Sequence, residues 1–161
     1  RSNFNLTYIL LDNSIYGLTK GQVSPTSPMG MKSGTSPYGN IARPLNPTTL
    51  ALAYGATFVA RTFSRERDMV SDLITRAIQH KGFSFIHDLS PCVVFNKDVT
   101  YGSVNSVTAQ LPEEHDILDR SNAMSLAEST EPVYQGLFFQ EEIPSFDDHV
   151  KQVKDGLNKS D

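Results

Sequence analysis

Asn13 stands directly after an apolar run, LTYILL, and an aspartate. A carboxamide oxygen there either closes an Asx-turn or joins backbone carbonyls and phosphate oxygens around a hard cation such as magnesium. Gly17, Thr19, Lys20, Gly21 and Gln22 then bring a flexible backbone, a hydroxyl, an ammonium and a carboxamide into a few residues. That set suits a diphosphate, though the spacing is not the Gly-x-x-x-x-Gly-Lys-Ser/Thr of a P-loop, and a plain surface loop is the alternative. Cys92, the single cysteine, follows an apolar run and Ser90-Pro91. It is either a small buried apolar residue or one thiolate of a cluster whose other ligands lie elsewhere. His80, His87, His115 and His149 have no metal-like spacing, and His80, near a helix end, is placed to complement the helix dipole. Ser24, Thr26 and Ser27 have no base beside them in sequence, so a hydrolase triad is unsupported.

The elements that must position these residues follow from pattern. Leu6 to Leu11 is a short continuous apolar run, as in a strand buried on both faces of a parallel sheet. A polar loop extends to about Arg43, and a loop of that length is usually functional or disordered. Asn46-Pro47 starts a helix as N-cap and first helical residue, and Gly55 closes it. Ala56 to Arg61 reads as the next strand. Ser64 is the expected cap of a longer helix whose stripe is Met69, Val70, Leu73, Ile74, Ala77 and Ile78, with Gly82 as its stop. Phe83 to Leu89 is a further strand. Alternation of strand and helix implies right-handed crossovers and a parallel sheet with helices on both faces, an α/β fold. Such sheets bind ligands beyond the carboxyl ends of their strands, where both the Asn13 loop and Cys92 lie. After about Lys97 the pattern loosens into a less regular C-terminal extension, with Val133 to Gln140 as a last strand or hairpin and Phe146 to Leu157 as a weak helix.

The composition, 39% apolar and 20% charged over 161 residues, is that of a globular protein. Residues 1–108 carry a formal charge of +4 and residues 109–161 of −8, which divides an α/β domain from an acidic extension that either is simply solvated, contacts a partner subunit or covers the site. The basic residues are scattered, without the stripe of a nucleic-acid reader. No apolar run approaches the ~20 residues of a membrane span, and there is no secretory pattern at the N-terminus. With its one cysteine the chain is expected to be cytoplasmic, in a reducing compartment. Opening without Met on strand-like sequence, it is also expected to continue a longer polypeptide.

Several ordered motifs, DNSIYGLTKGQVSPTS, NPTTLALAYGATFVAR, HKGFSFIHDLSPCVVFN and EEHDILDR, resemble the β subunit of 2-oxoacid:ferredoxin oxidoreductases, closest to the branch acting on 2-oxoglutarate. The resemblance covers nearly the whole chain. It implies a thiamine diphosphate-binding fold and a subunit that works with an α (or fused α/γ) partner. The implied reaction is the coenzyme A-dependent oxidative decarboxylation of a 2-oxoacid to an acyl-CoA, with electrons passing through a [4Fe-4S] cluster to ferredoxin. By resemblance Asn13 holds magnesium together with the backbone carbonyl of Ile15, Gly17, Leu18 and Thr19 lie along the diphosphate, and Cys92 is a cluster ligand. Lys20 is the candidate for the substrate carboxylate; a solvated lysine or one on the diphosphate is the alternative. The family motif's first half, Gly-Asp-Gly, does not occur in these residues, so this stretch alone is expected to bind the cofactor poorly and to hold no complete cluster. The glutamate that activates the cofactor is implied to lie on the partner. A related thiamine diphosphate enzyme without a cluster, or a non-catalytic structural subunit, are the rival readings.

Overall fold

The computed structural model describes residues 2–157. Ten elements follow in order: β1 (Leu6–Asp12), α1 (Pro47–Ala53), β2 (Phe58–Phe63), α2 (Arg67–Gln79), β3 (Phe83–Leu89), α3 (Tyr101–Val107), β4 (Thr108–Gln110), α4 (Arg120–Glu128), β5 (Val133–Gln140) and α5 (Phe146–Leu157). Five strands form one sheet in the order β1-β3-β2-β5-β4. Among the described residues no helix is long and apolar enough to cross a membrane.

The α/β expectation holds for the first three strands, which are parallel, with α1 and α2 as crossovers. One core, on the α1 and α4 side, is built from Leu52, Val59, Phe85, Ala123, Ala127 and Phe138. The other, on the α2 side, gathers Phe58, Ala60, Leu73, Ala77, Ile86 and Leu137. Helices therefore cover both faces. The sheet is mixed, however, because β5 runs antiparallel to β2 with a register shift between Val59 and Ala60. A short apolar strand reads the same in either direction, and its polarity is set by which end the preceding connection reaches.

Local capping chemistry accounts for α1. Asn46 Oδ1 accepts the N–H groups of Thr48 (3.1 Å) and Thr49 (3.3 Å), Pro47 occupies the first turn, and Gly55 takes φ +82° past the C-terminus. The start of α2 differs from expectation. β2 continues to Phe63, and Ser64 N–H bonds Leu89 O at 3.0 Å, so Ser64 is used by the sheet and the helix begins at Arg67 with no side-chain cap. Leu73 and Ala77 are buried as the stripe requires, but Ile78 is 68% exposed. Nor is β1 buried on both faces: it lies at the sheet edge, where Leu6 and Leu11 are 53% and 67% exposed, because β3 alone pairs with it among the described residues. His80 sits at the end of α2 with Nε2 2.8 Å from Thr57 Oγ1. Burial lowers its pKa against the pull of Glu142 and Glu141, so it serves the helix end as a neutral hydrogen-bonding group rather than as a charge on the dipole.

Residues beyond 108 enter the same sheet and core. Arg120 joins them to the rest: its guanidinium donates to Leu52 O (2.8 Å), Ala56 O (3.1 Å) and Glu141 Oε1 (2.7 Å) while stacking 3.8 Å over Phe139. If β5 belongs to one cooperative unit with β1–β3, Phe138→Ala, at a fully buried position, lowers unfolding free energy by about 3–5 kcal/mol in urea denaturation. A loss below about 1 kcal/mol would separate β5 from that unit.

Candidate functional site

The site is built on the ends of two paired strands. Asp12 ends β1 opposite Leu89 of β3, and Ser90 N–H bonds Asp12 O at 2.8 Å. The Asp12 side chain then turns back on the loop it launches: Oδ1 accepts Ser14 N–H (2.8 Å) and the Thr26 hydroxyl (2.6 Å), while Oδ2 lies 3.0 Å from His87 Nε2. Asn13 Oδ1 accepts Ile15 N–H at 3.0 Å, the Asx-turn. Ser14 is left-handed at φ 55° and Ile15 is buried. Tyr16 pairs with Gln22, and between them a turn closed by Lys20 N–H on Gly17 O (3.1 Å) puts Lys20 at φ 73° and Gly21 at φ 102°. Gln22 clips the turn, donating to Thr19 O at 2.7 Å and accepting the Thr19 hydroxyl. Ser27 Oγ donates to Ser14 O at 2.7 Å. The long loop is thus a braced structure.

It forms one end of a cleft of about 960 Å³ between β1 and α1, whose apolar wall includes Tyr8, Leu10, Leu50 and Phe85. Asn13, Ile15, Gly17, Leu18 and Thr19 all line it. Among the described residues the N–H groups of Gly17, Leu18 and Thr19 have no acceptor, and the Ile15 carbonyl has no donor. Three consecutive open donors are a cradle for negative oxygens, and an open carbonyl next to a carboxamide oxygen offers hard-cation ligands. The residues present therefore fit thiamine diphosphate with its magnesium ion. No group of three or more His, Cys, Asp or Glu side chains able to hold a metal occurs among the described residues. Lys20 is exposed beside Thr19, outside the residues that line the cleft.

Behind the loop runs a buried relay that sequence reasoning missed. Arg61, 3% exposed, donates from Nε to Thr48 Oγ1 (3.1 Å), from Nη1 to Tyr134 O (3.1 Å), and from Nη2 to Asn46 Oδ1 (3.2 Å) and Ala127 O (3.0 Å). Thr48 Oγ1 lies 3.1 Å from His87 Nδ1. Since an ionised carboxylate can only accept, His87 donates its Nε2 proton to Asp12, and in the neutral ring Nδ1 then accepts the Thr48 hydroxyl proton. Burial lowers the pKa of His87, outweighing the Asp12 hydrogen bond that raises it, so the ring is neutral. Burial works to raise Asp12, but bonds from His87, Thr26 and Ser14 more than offset this and hold the carboxyl below its ordinary range. Burial brings Arg61 down to about 10, still charged at neutral pH. A cation and a carboxylate are thereby joined through two neutral groups. The order hydroxyl–Asp–His at Thr26, Asp12 and His87 is not that of a hydrolase triad, whose histidine contacts the nucleophile.

Cys92 comes to the same place from β3. A Cβ on Gly17 would lie 3.6 Å from Cys92 Sγ and 3.8 Å from Asn13 Nδ2. Phe95 N–H points at Sγ at 3.5 Å. Bonds from the backbone of Phe95 and Val94 lower the thiol pKa against partial burial, which favours the thiolate that metals bind. The signals for the missed groups were a lone histidine inside the apolar strand FSFIHDL and an arginine inside ATFVAR. Their partners are set by tertiary contact.

An α/β sheet with a loop of open N–H donors and open oxygens at the carboxyl ends of parallel strands is the arrangement of a cofactor-binding domain, and comparison with known families gives its class as thiamine diphosphate-binding. The family model for the thiamine pyrophosphate enzyme C-terminal TPP binding domain matches residues 1–87, and the chain belongs to that family. A second model, for the C terminal of the pyruvate ferredoxin oxidoreductase beta subunit, matches residues 92–155. The chain is 35% identical to the 2-oxoglutarate synthase subunit KorB of Methanocaldococcus jannaschii over 98% of its length and 58% of the relative's. With the 2-oxoglutarate oxidoreductase subunit KorB of Mycobacterium tuberculosis the identity is 40%, over 71% of this chain and 30% of that relative. A solved 2-oxoglutarate:ferredoxin oxidoreductase from Magnetococcus marinus, with 2-oxoglutarate, coenzyme A and succinyl-CoA bound, superposes with a TM-score of 0.94 at 39% identity, covering 97% of this chain and 54% of that one. The chain thus spans from 30% to 58% of the length of these relatives.

The neutral His87 gives a signed pH dependence. Its folded pKa lies below the unfolded value of about 6.5, so the unfolded state binds the extra proton first and stability is lost as pH falls through about 6.5 and below. His80 acts in the same direction, and Asp12 adds its own loss only below the ordinary carboxylate range. Denaturation midpoints measured from pH 7.5 to 5 should fall steadily, and His87→Gln, though less stable throughout, should show a shallower fall. An equal slope in both proteins would remove His87 as the titrating group.

Proposed function

We propose that the chain is the cofactor-binding part of the β subunit of a 2-oxoacid:ferredoxin oxidoreductase. The whole enzyme converts a 2-oxoacid, with 2-oxoglutarate as the leading candidate, and coenzyme A to acyl-CoA and CO2, reducing ferredoxin through a [4Fe-4S] cluster. It works in the cytoplasm with an α or fused α/γ subunit, and the acidic 109–161 segment offers a surface for that partner. The observation that carries this reading is the meeting of two features at one point: the open donors of Gly17–Thr19 in the cleft, and the Cys92 sulfur that would lie 3.6 Å from a Cβ on Gly17. A cofactor domain without electron transfer has no use for the second. When bound, thiamine diphosphate supplies the carbon nucleophile and electron sink for decarboxylation.

This chain's residues bind and orient. Gly17, Leu18 and Thr19 would meet the diphosphate with backbone N–H groups, while Asn13 Oδ1 and the Ile15 carbonyl would take two positions on magnesium. Asp12, pinned by His87, keeps the turn that presents them. Cys92 would supply one thiolate to the cluster, its charge eased by the N–H groups aimed at it. Lys20, exposed next to the cleft-lining Thr19, is assigned to the substrate carboxylate.

Two measurements on the full complex test this. Cys92→Ser should lose most of the cluster iron while still binding thiamine diphosphate; unchanged iron would favour a cluster-free relative. Lys20→Ala should reduce kcat/KM for 2-oxoglutarate about 10- to 100-fold more than for pyruvate, the size of one charged hydrogen bond. An equal loss for both substrates would remove its role in specificity.

A further inference from the structure

We infer that Asn96 is a positioning residue that ties the magnesium-side turn to the cysteine loop, an inference that rests on the functional reading above. Asn96 is 2% exposed and does not line the cleft. Its three polar groups reach three places. Nδ2 donates to the Asn13 carbonyl at 3.1 Å, Oδ1 accepts Val99 N–H at 3.0 Å, and its own N–H bonds Cys92 O at 3.2 Å. One buried residue therefore holds the residue assigned to magnesium through its side-chain amide and the residue assigned to the cluster through its backbone N–H.

The direction of the hold matters. The Asn13 carbonyl belongs to the same peptide as Ser14 N–H, which bonds Asp12 Oδ1 at 2.8 Å. With a partner on each side the plane of that peptide is fixed, and so is the left-handed Ser14 that turns Ile15 back onto Asn13 Oδ1. A part-buried carbonyl left without its donor seeks another partner, so losing Asn96 Nδ2 frees the peptide to rotate. Phe95, one residue earlier, reinforces the contact: Cβ atoms on Gly17 and Gly21 would lie 3.9 Å and 3.8 Å from it, while its N–H is aimed at Cys92 Sγ. Asn13, Gly17 and Cys92 consequently keep one spacing, and a shift in the cysteine loop is delivered to the cofactor loop.

The test uses the full-length subunit in its complex. Thiamine diphosphate with Mg2+ is titrated by calorimetry, and iron content and the midpoint potential of the cluster are measured alongside. Asn96→Asp keeps the acceptor for Val99 but sets an oxygen against the Asn13 carbonyl. It should weaken cofactor binding about tenfold or more, equivalent to about 1.4 kcal/mol, and shift the cluster potential, with iron near the wild-type level. Val99→Pro removes the other side-chain hydrogen bond of Asn96 and should leave cofactor affinity within about twofold of wild type, since the ties to Asn13 and Cys92 are intact. If the Asp variant does not assemble, Asn96→Ala, which removes the bonds to both the Asn13 carbonyl and Val99 N–H, is read in its place against Val99→Pro, which removes only the second. Affinity and potential both unchanged in the Asn96 variant, or an equal loss of affinity in Val99→Pro, would overturn the assignment and leave Asn96 as a local brace. A wild-type complex that binds no thiamine diphosphate would instead refute the functional reading, and this inference with it.

Discussion

The carboxylate of Asp12 is the interaction on which the site depends. A carboxylate this enclosed is tolerated only if its oxygens are met by donors, and the donors come from three separated segments: Ser14 in the turn, Thr26 across the loop, and His87 on the neighbouring strand. Satisfying one side chain therefore folds the loop back on itself and fastens it to the sheet. Arg61 and Thr48 complete the network from the other side: the acceptor-only carboxylate sets the tautomer of His87, whose Nδ1 takes the Thr48 hydroxyl proton while the guanidinium donates to the same oxygen. The charge of Arg61 itself is met by the carbonyls of Ala127 and Tyr134, which belong to the C-terminal third of the chain.

Sheet topology turns this local fastening into a functional arrangement. Because β1 and β3 are parallel neighbours in register, the loops after Asp12 and Leu89 leave from the same edge. One becomes a cradle of open donors at the mouth of the cleft. The other brings a sulfur with N–H groups aimed at it against the same glycine. Gly17 is small where the two meet, and Asn96 bridges them from within the cysteine loop. Residues after 108 are part of this architecture through β5 and Arg120.

What could be read in the sequence was what is local. Asn46-Pro47 announces α1 because a cap acts over two or three residues, and Leu73 with Ala77 announce the buried face of α2. The turn-formers after Asn13, with the Ser90-Pro91-Cys92 stop after an apolar strand, located both loops of the candidate site. The polarity of β5, the exposure of Leu6 and Leu11 on an edge strand, and the diversion of Ser64 into the sheet depend on which strands become neighbours. The Asp12–His87 contact spans 75 residues and left only a polar residue in an apolar strand as its trace. Asn96 left less, an asparagine in a loop that resembles any other turn residue.

The claim that the Asn13 loop is held as firmly as the sheet is tested most directly by amide hydrogen exchange at Ser14 and Ile15. Both N–H groups lie outside regular secondary structure but are bonded to Asp12 and Asn13 side chains. Protection at both amides should approach that of the β3 amides, as for a segment that opens only with the surrounding core. Exchange at the rate of an unstructured loop, with β3 still protected, would contradict it.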